Sequence, residues 1–166
     1  MVEQTPQVRS TTEKKIDWLL EPNREPTPTK VHQNILYHGT SGQHLKSILE
    51  HGLIPAGKAG LGATSSSAWT ESGGSESDMI GLVGLTDRTR SGAFYASLVS
   101  GRKHNPVILE IDRNKLDKAV LVRRRGSSVG GGKEWDYPRP IPVSAINGYW
   151  RYTKKNGWQY HKKDEA

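Results

Sequence analysis

The sequence predicts an α+β fold in which short β-strands outnumber a few short helices. The chain has 166 residues, which is enough for one domain of ordinary size. Its apolar residues come in short runs of strand length, and five Trp and six Tyr argue against disorder throughout. The helical patterns are too few to alternate regularly with the strands, so a parallel βαβ arrangement is not predicted.

The first thirty residues are expected to form a flexible tail with one short helix. Pro22, Pro26 and Pro28 interrupt this segment, and only residues 12–20 carry apolar side chains at helical spacing. The domain itself is therefore expected to occupy residues 31–166.

A strand, a turn and a helix are predicted at the start of the domain. Residues 35–37 form a short apolar strand, which we expect to end in a sharp turn at Gly39. Residues 43–51 have leucine and isoleucine at helical spacing. Ser41 is placed to cap the first turn of this helix, and Gly52 follows its last residue.

The middle of the chain is predicted to hold a long loop, a strand and a second helix. Residues 59–78 are rich in glycine and serine, so they are expected to form a mobile loop. Residues 79–86 read as an apolar strand. The helix that follows includes residues 93–99, with Asp87 or Thr89 as its cap.

The second half of the domain is predicted to consist of strands. The segments with strand character are 106–112, 120–122, 133–137 and 141–143. The C-terminal aromatic residues read as a β-hairpin with a three-residue loop of Lys155, Asn156 and Gly157. That loop would place Tyr152 opposite Tyr160, with Gly157 at the position that needs a positive φ.

Positive charge is concentrated in the C-terminal part of the chain. Lys and Arg outnumber Asp and Glu by 24 to 17 overall, and by thirteen to five within residues 113–166. Such a surface attracts phosphate-bearing ligands or nucleic acid through charge and counterion release. An ordinary solvated surface has the same composition, so the charge alone does not decide between these interpretations.

Several classes of protein are excluded by composition and pattern. The chain has no cysteine, which excludes disulfides, a thiolate nucleophile and thiolate zinc sites. The histidines are not spaced as a metal-binding set, so no metal is expected. No apolar run approaches the roughly 20 residues of a membrane helix, and a soluble protein is therefore expected. Walker, Rossmann and serine-hydrolase patterns are also missing from the sequence.

Four blocks follow one another in the order found in a known superfamily. They are 36–55 (LYHGTSGQHLKSILEHGLIP), 83–97 (VGLTDRTRSGAFYAS), 106–112 (PVILEID) and 133–146 (KEWDYPRPIPVSAI). Together they resemble the ADP-ribosyltransferases, in particular the His-Tyr-Glu branch that includes the poly-ADP-ribose polymerases. The resemblance implies an ADP-ribosyltransferase-like fold of split, mixed β-sheets with a few short helices.

The resemblance also implies a site for NAD, the substrate of these enzymes. His38 and Thr40 would hold the adenosine ribose, and the backbone of Gly39 would approach the nicotinamide amide. Tyr95 would stack on the nicotinamide ring. Glu134 would be the catalytic carboxylate beside the ribose 2′-hydroxyl, where it stabilises an oxocarbenium-like transition state. The implied catalytic residues are thus His38, Tyr95 and Glu134.

Two positions leave the implied site open. Gly84 occupies the strand position at which the polymerases carry their triad tyrosine, so either Tyr95 alone closes the nicotinamide pocket or the pocket differs. Asp136 is the alternative carboxylate, because residues 134 and 136 point to the same face of a strand.

The function that the resemblance implies is NAD-dependent mono-ADP-ribosyl transfer to nucleic acid or protein, by a small enzyme of the toxin or effector kind. It would be a monomer in the cytoplasm or delivered into a target cell, with an antitoxin or immunity protein as a partner. Two alternatives stay open. One is an NAD-dependent RNA 2′-phosphotransferase, which does not need Glu134, and the other is a non-catalytic module that binds ADP-ribose or nucleic acid.

Overall fold

Within the residues that the structure describes, the fold is a single β-sheet with one α-helix packed on each face. The structure, a computed structural model, describes residue 26 and residues 34–55, 81–100, 104–125 and 132–165. The predicted α+β class is confirmed. The predicted tail helix and the predicted loop at 59–78 lie outside the described residues.

Seven strands and two α-helices make up the described chain. The strands are β1 (Ile35–Ser41), β2 (Val83–Thr86), β3 (Pro106–Asp112), β4 (Val122–Arg123), β5 (Glu134–Tyr137), β6 (Ile146–Thr153) and β7 (Gly157–Lys162). The α-helices are α1 (Gly42–His51) and α2 (Thr89–Ser100), and single 3-10 turns span Arg113–Lys115, Val143–Ala145 and Lys163–Glu165.

The strands lie in the order β4-β5-β2-β1-β3-β6-β7, and every neighbouring pair is antiparallel. The expectation of split, mixed sheets is therefore wrong for the described residues. The strands stay in one sheet because β1 pairs with β2 on one side and with β3 on the other. The junction with β2 is short, since Tyr37 and Thr86 are the single residue pair in register there.

The sequence predicted that the first strand would end in a turn at Gly39. Strand β1 instead continues to Ser41 and leads directly into α1. The helix ends behave as expected. The hydroxyl of Ser41 accepts a hydrogen bond from the backbone N–H of Gln43, and Gly52 closes the helix with a φ of 85°.

Alternation along the strands divides the apolar side chains between two cores. The core on the α1 face contains Leu36, Leu85, Leu109 and Trp135 among its buried members, together with Ile48 from the helix. The smaller core on the α2 face is formed by Tyr37, Ala93, Ala96, Ile108 and Trp150. Residues of odd and even number in one strand therefore meet different helices.

The C-terminal hairpin forms as predicted but in a different register. Thr153 pairs with Gly157, so Tyr152 lies opposite Trp158, whereas the sequence predicted Tyr160 as its partner. The glycine has the expected positive φ of 67°. It stands one place later in the turn because the Thr153 hydroxyl accepts a hydrogen bond from the N–H of Asn156, which closes the loop over residues 154–156.

The other predicted strands are realised to different extents. Strand β3 matches its prediction residue for residue, and β5 begins one residue late. Only Val122 of the segment 120–122 lies in a strand. At 141–143 the structure has one isolated bridge from Ile141 to Leu53, followed by a 3-10 turn that begins at Val143.

Candidate active site

The junction between β1 and β2, which we call the seam, is bridged by a histidine side chain beside its single residue pair in register. Next to the single register pair, Nδ1 of His38 donates a hydrogen bond of 2.7 Å to the carbonyl of Gly84. A carbonyl oxygen can only accept, so the proton of the neutral imidazole lies on Nδ1. Nε2 then carries a lone pair that can accept a hydrogen bond from a ligand hydroxyl.

The surroundings of His38 favour this neutral form. Burial lowers the pKa of His38, and the hydrogen bond to the carbonyl of Gly84 opposes that shift without cancelling it. The ring is therefore uncharged at neutral pH and suited to hydrogen bonding rather than to attracting an anion.

Gly39 lets helix α2 approach the strand closely. A Cβ at this residue would overlap the carbonyl oxygen of Gly92 and would lie 2.5 Å from the backbone nitrogen of Ala96. It would also lie 3.0 Å from Cβ of Tyr95. The missing side chain thus seats the helix that carries Tyr95, and the turn expected at Gly39 is not the reason for a glycine there.

Tyr95 and Glu134, two residues predicted to share a site, are in direct contact. The Tyr95 hydroxyl donates a hydrogen bond of 2.5 Å to Oε1 of Glu134. Burial, then the hydrogen bond with Glu134 and its charge, raise the pKa of Tyr95, so the hydroxyl keeps its proton and remains a donor. An edge contact with Phe94, with 5.2 Å between ring centroids, fixes the phenol ring from the side.

The tyrosine side chain crosses strand β2 to make this contact. Its Cβ lies over Gly39 on β1, and its hydroxyl meets β5, while β2 lies between these strands. Gly84 is on the same face of β2 as Thr86, the residue that pairs with Glu134. Gly84, whose carbonyl accepts the hydrogen bond from His38, therefore presents no side chain on the face that carries Glu134.

Arg124 and Asp136 complete a charged cluster around Glu134. The guanidinium of Arg124 binds Asp136 through both carboxylate oxygens, with Nη2 at 2.6 Å from Oδ1 and Nε at 3.1 Å from Oδ2. Its Nη1 lies 3.7 Å from Oε2 of Glu134, beyond hydrogen-bond distance. Burial works to lower the pKa of Arg124, but the hydrogen bonds and charge of Asp136, and then Glu134, raise it overall.

The start of β5 is tied to the end of β2. The Asp87 carboxylate accepts a hydrogen bond of 2.7 Å from the N–H of Lys133, and the N–H of Asp87 donates to the carbonyl of Lys133. The sequence predicted Asp87 or Thr89 as the cap of α2. Asp87 instead binds the backbone of Lys133 at the start of β5. Gly132 fits closely here, because a Cβ would lie 2.8 Å from the hydroxyl oxygens of Thr86 and Ser91.

Of the predicted site residues, the structure places 38–40 on β1, Glu134 on β5 and Tyr95 on α2, and β2 alone lies between β1 and β5. Tyr37, Thr86 and Glu134 form one row across these strands, and at about 4.8 Å per strand the row spans about 10 Å. His38 is next to Tyr37 in this row. Strand alternation puts His38 on the opposite face from Glu134, and the hydrogen-bond partners of the two side chains differ: Gly84 for His38 and Tyr95 for Glu134.

Thr40 differs most from its predicted place. The residue is 6% exposed, and its carbonyl accepts a hydrogen bond of 3.5 Å from the hydroxyl of Ser100 on α2. The described residues thus show Thr40 joining β1 to the end of the helix. Its role as an NAD contact stays a prediction.

Sequence reasoning missed the parts played by Arg124 and Asp87. Arg124 counted only as positive charge, although the pair of short strands on either side of a glycine-rich segment is a hairpin signal. Pairing these strands would have placed Arg124 beside the strand of Glu134, as the structure does through the bond from the Arg124 N–H to the Glu134 carbonyl.

Comparisons with known proteins add no family assignment. No model of a known protein family matches the chain, and no curated protein matches it. The described residues contain no group of three or more His, Asp or Glu arranged to hold a metal ion. Within the same residues, no helix has both the length and the apolar character needed to cross a bilayer.

Proposed function

We propose that the chain is an NAD-dependent mono-ADP-ribosyltransferase with NAD as its substrate. The observation that carries the proposal is the hydrogen bond between Tyr95 and Glu134 beside the seam held by His38. These residues are 39 and 57 positions apart in sequence, and the resemblance assigns all three to one site. A chance motif match would give no reason for them to gather around three adjacent strands.

In the proposed reaction the bond between the ribose C1′ and the nicotinamide nitrogen breaks. Both electrons leave with the ring, so the cationic nicotinamide departs as a neutral molecule and the ribose becomes oxocarbenium-like. Oε2 of Glu134 accepts a hydrogen bond from the ribose 2′-hydroxyl, and the carboxylate charge stabilises the positive ribose. An acceptor nucleophile then bonds to C1′ and loses its proton to water.

The other residues bind and orient NAD. Nε2 of His38 accepts a hydrogen bond from an adenosine ribose hydroxyl, since Nδ1 is already engaged with Gly84. In this proposal Tyr95 has two roles: its hydroxyl orients Glu134, and its ring stacks on nicotinamide. This division offers an answer to the missing triad tyrosine at Gly84.

Glu134 is preferred over Asp136 as the catalytic carboxylate. Asp136 is engaged through both of its oxygens by Arg124, whereas Oε2 of Glu134 has no hydrogen-bond partner among the described residues. A carboxylate that must accept a bond from substrate needs such an oxygen. The acceptor, nucleic acid or protein, is not distinguished by these contacts, and an antitoxin or immunity protein remains part of the proposal for a toxin.

Glu134→Gln tests the proposal against both alternatives. We expect nicotinamide release from NAD by the variant to fall by about 10²-fold or more, the scale of removing one charged group that stabilises a transition state. The matched control is Glu50→Gln on the exposed end of α1, which should behave as wild type. Unchanged turnover on 2′-phosphorylated RNA would favour the phosphotransferase, and NAD affinity without any turnover would favour a binding module.

A further inference from the structure

The position of Arg124 opposite Glu134 is at odds with the contacts that its side chain makes. The Arg124 N–H donates to the Glu134 carbonyl across the β4–β5 pair, so Glu134 is the carboxylate nearest to it along the strands. The guanidinium nevertheless turns to Asp136, two residues further along β5. Paired side chains on neighbouring strands ordinarily interact directly, so Asp136 is what draws Arg124 away.

The contact with Asp136 is the strong form of an arginine–carboxylate pair. It is two-pronged, with distances of 2.6 and 3.1 Å, and the side chains are only 24% and 20% exposed. Partly buried, bidentate pairs hold their geometry better than exposed single contacts. Arg124 is therefore fixed with its third nitrogen 3.7 Å from Glu134.

We propose that Arg124 and Asp136 are a positioning pair that keeps Oε2 of Glu134 open for the ribose hydroxyl. Asp136 holds the guanidinium off Glu134, and Arg124 neutralises Asp136, which would otherwise repel Glu134 on the same face of β5. The inference rests on the proposed function for its kinetic consequence. Its structural content, which group holds Arg124 in place, stands on the contacts alone.

We expect that removing either member of the pair alone lowers activity, because the member that remains disturbs Glu134. In Asp136→Asn the two-pronged contact is lost, and we expect the guanidinium to move onto Glu134, which occupies the oxygen needed by substrate. In Arg124→Gln two carboxylates remain on one face of a strand without a cation between them, and they oppose each other's ionisation. Removing both charges leaves Glu134 with its Tyr95 contact and no competing group.

The test is a double-mutant cycle on the rate of nicotinamide release. We expect Asp136→Asn and Arg124→Gln each to lower kcat by about tenfold, within the range of coupling seen for contacting residues. The double variant should be faster than either single variant and within about threefold of wild type. A merely structural pair predicts the reverse, with the double variant no faster than the slower single one, and that result would overturn the inference.

Arg123→Gln is the matched control, because Arg123 is exposed, directly precedes Arg124 at the end of β4 and pairs with Trp135 on the other face. It should leave kcat unchanged. Thermal unfolding of wild type and all four variants corrects each rate for the folded fraction. A control variant as slow as Arg124→Gln would show that lost positive charge alone is responsible, and this too would overturn the inference.

A crystal structure of Asp136→Asn decides the same question without any activity. The expected result is that Nη1 of Arg124 moves from 3.7 Å to within hydrogen-bond distance of Oε2 of Glu134. A guanidinium that stays where it is would overturn the inference even if the enzyme is active. If wild type releases no nicotinamide, the proposed function fails, and this structure still decides what holds Arg124.

Discussion

The two oxygens of the Glu134 carboxylate have different neighbours. Oε1 accepts the hydroxyl of Tyr95 at 2.5 Å, and Oε2 faces the guanidinium of Arg124 at 3.7 Å. Its side chain is 15% exposed, so these neighbours act with little screening by water. One oxygen is thus fixed by the protein, and the other accepts no hydrogen bond from the described residues.

Tyr95→Phe separates the two parts that we assign to this tyrosine. The variant keeps the ring and loses the hydroxyl, so we expect kcat for nicotinamide release to fall about tenfold or more while KM for NAD changes little. A hydrogen bond to a charged group contributes about 1.5–3 kcal/mol, which sets that scale. Steady-state kinetics at several NAD concentrations measure both constants.

Tyr137→Phe is the control for this variant, since its hydroxyl accepts the N–H of Asp117 in another part of the sheet. It should cost some stability and leave kcat unchanged. A Tyr95→Phe chain with the kcat of wild type would contradict the role given to the hydroxyl.

His38 gives the protein a pH-dependent stability of definite sign. Because burial lowers the pKa of His38 in the folded chain, the unfolded chain binds more protons once the pH falls below about 6.5. Stability from the neutral ring is full above that value and is lost as the pH falls towards the folded pKa. One such group changes the free energy of unfolding by at most about 1.4 kcal/mol per pH unit.

His38→Asn should flatten this dependence, because an amide can donate to Gly84 without titrating. Urea unfolding of wild type and variant between pH 7.5 and 5 measures the difference in slope. Equal slopes for wild type and His38→Asn would show that this histidine is not held neutral by folding.

At the scale of elements, the site depends on how closely α2 lies on β1. Gly39 is the contact point, with the helix backbone where a Cβ would be. Tyr95 projects from that same turn of the helix, so a shift of the helix moves the phenol relative to Glu134. Packing and chemistry are therefore coupled through one glycine.

Gly39→Ala should be among the most destabilising alanine substitutions in the chain. The methyl group must displace helix backbone, and overpacking of this kind costs about 1–3 kcal/mol or more. Gly157→Ala is the comparison, because a φ of 67° costs an alanine about 1 kcal/mol while open space surrounds the site. Thermal and urea unfolding of both variants would contradict the packing argument if Gly39→Ala were the milder.

The sequence predicted elements well where local chemistry determines them. The cap at Ser41, the ending at Gly52 and the strand 106–112 all depend on short-range patterns and are confirmed. The hairpin register failed because a threonine hydroxyl, rather than the glycine alone, selects the loop. The glycine pattern and the threonine pattern favour different loops, and neither pattern alone shows which loop forms.

Long-range contacts are the part that local patterns could not supply. A glycine is needed at position 39 because the backbone of α2, more than fifty residues away in the sequence, packs against it. The hydrogen-bond partner of Asp87 is likewise distant, since it is the backbone of Lys133. The resemblance implied that Tyr95 and Glu134 share a site, but their direct hydrogen bond was not predicted, because nothing in either local segment points to the other. The same holds for Arg124, whose role depends on strand pairing.

On the scale of the whole molecule, the sheet consists of two groups of strands with a narrow junction. Strands β4, β5 and β2 form one group, and β1, β3, β6 and β7 form the other. The two groups are joined at the seam by one register pair and by the hydrogen bond from His38 to Gly84. By contrast, β1 and β3 within the second group pair over seven residues. The proposed NAD site lies at this junction.

Native-state hydrogen exchange should show the junction as a boundary. Amides of β3, paired on both sides, should exchange only through global unfolding, and those of β2 and β5 through a smaller opening of lower free energy. NAD binding across the seam should slow exchange in the β2 group more than in β3. Equal opening free energies throughout the sheet, with or without NAD, would contradict this division.

The most direct test of the central claim is the release of nicotinamide from NAD by the wild-type chain. Purified protein is mixed with NAD, nucleic acid and a protein extract, and nicotinamide is quantified over time. The account predicts that nicotinamide accumulates in proportion to the protein added, with the ADP-ribose portion recovered on an acceptor. NAD that stays intact with every acceptor would contradict it.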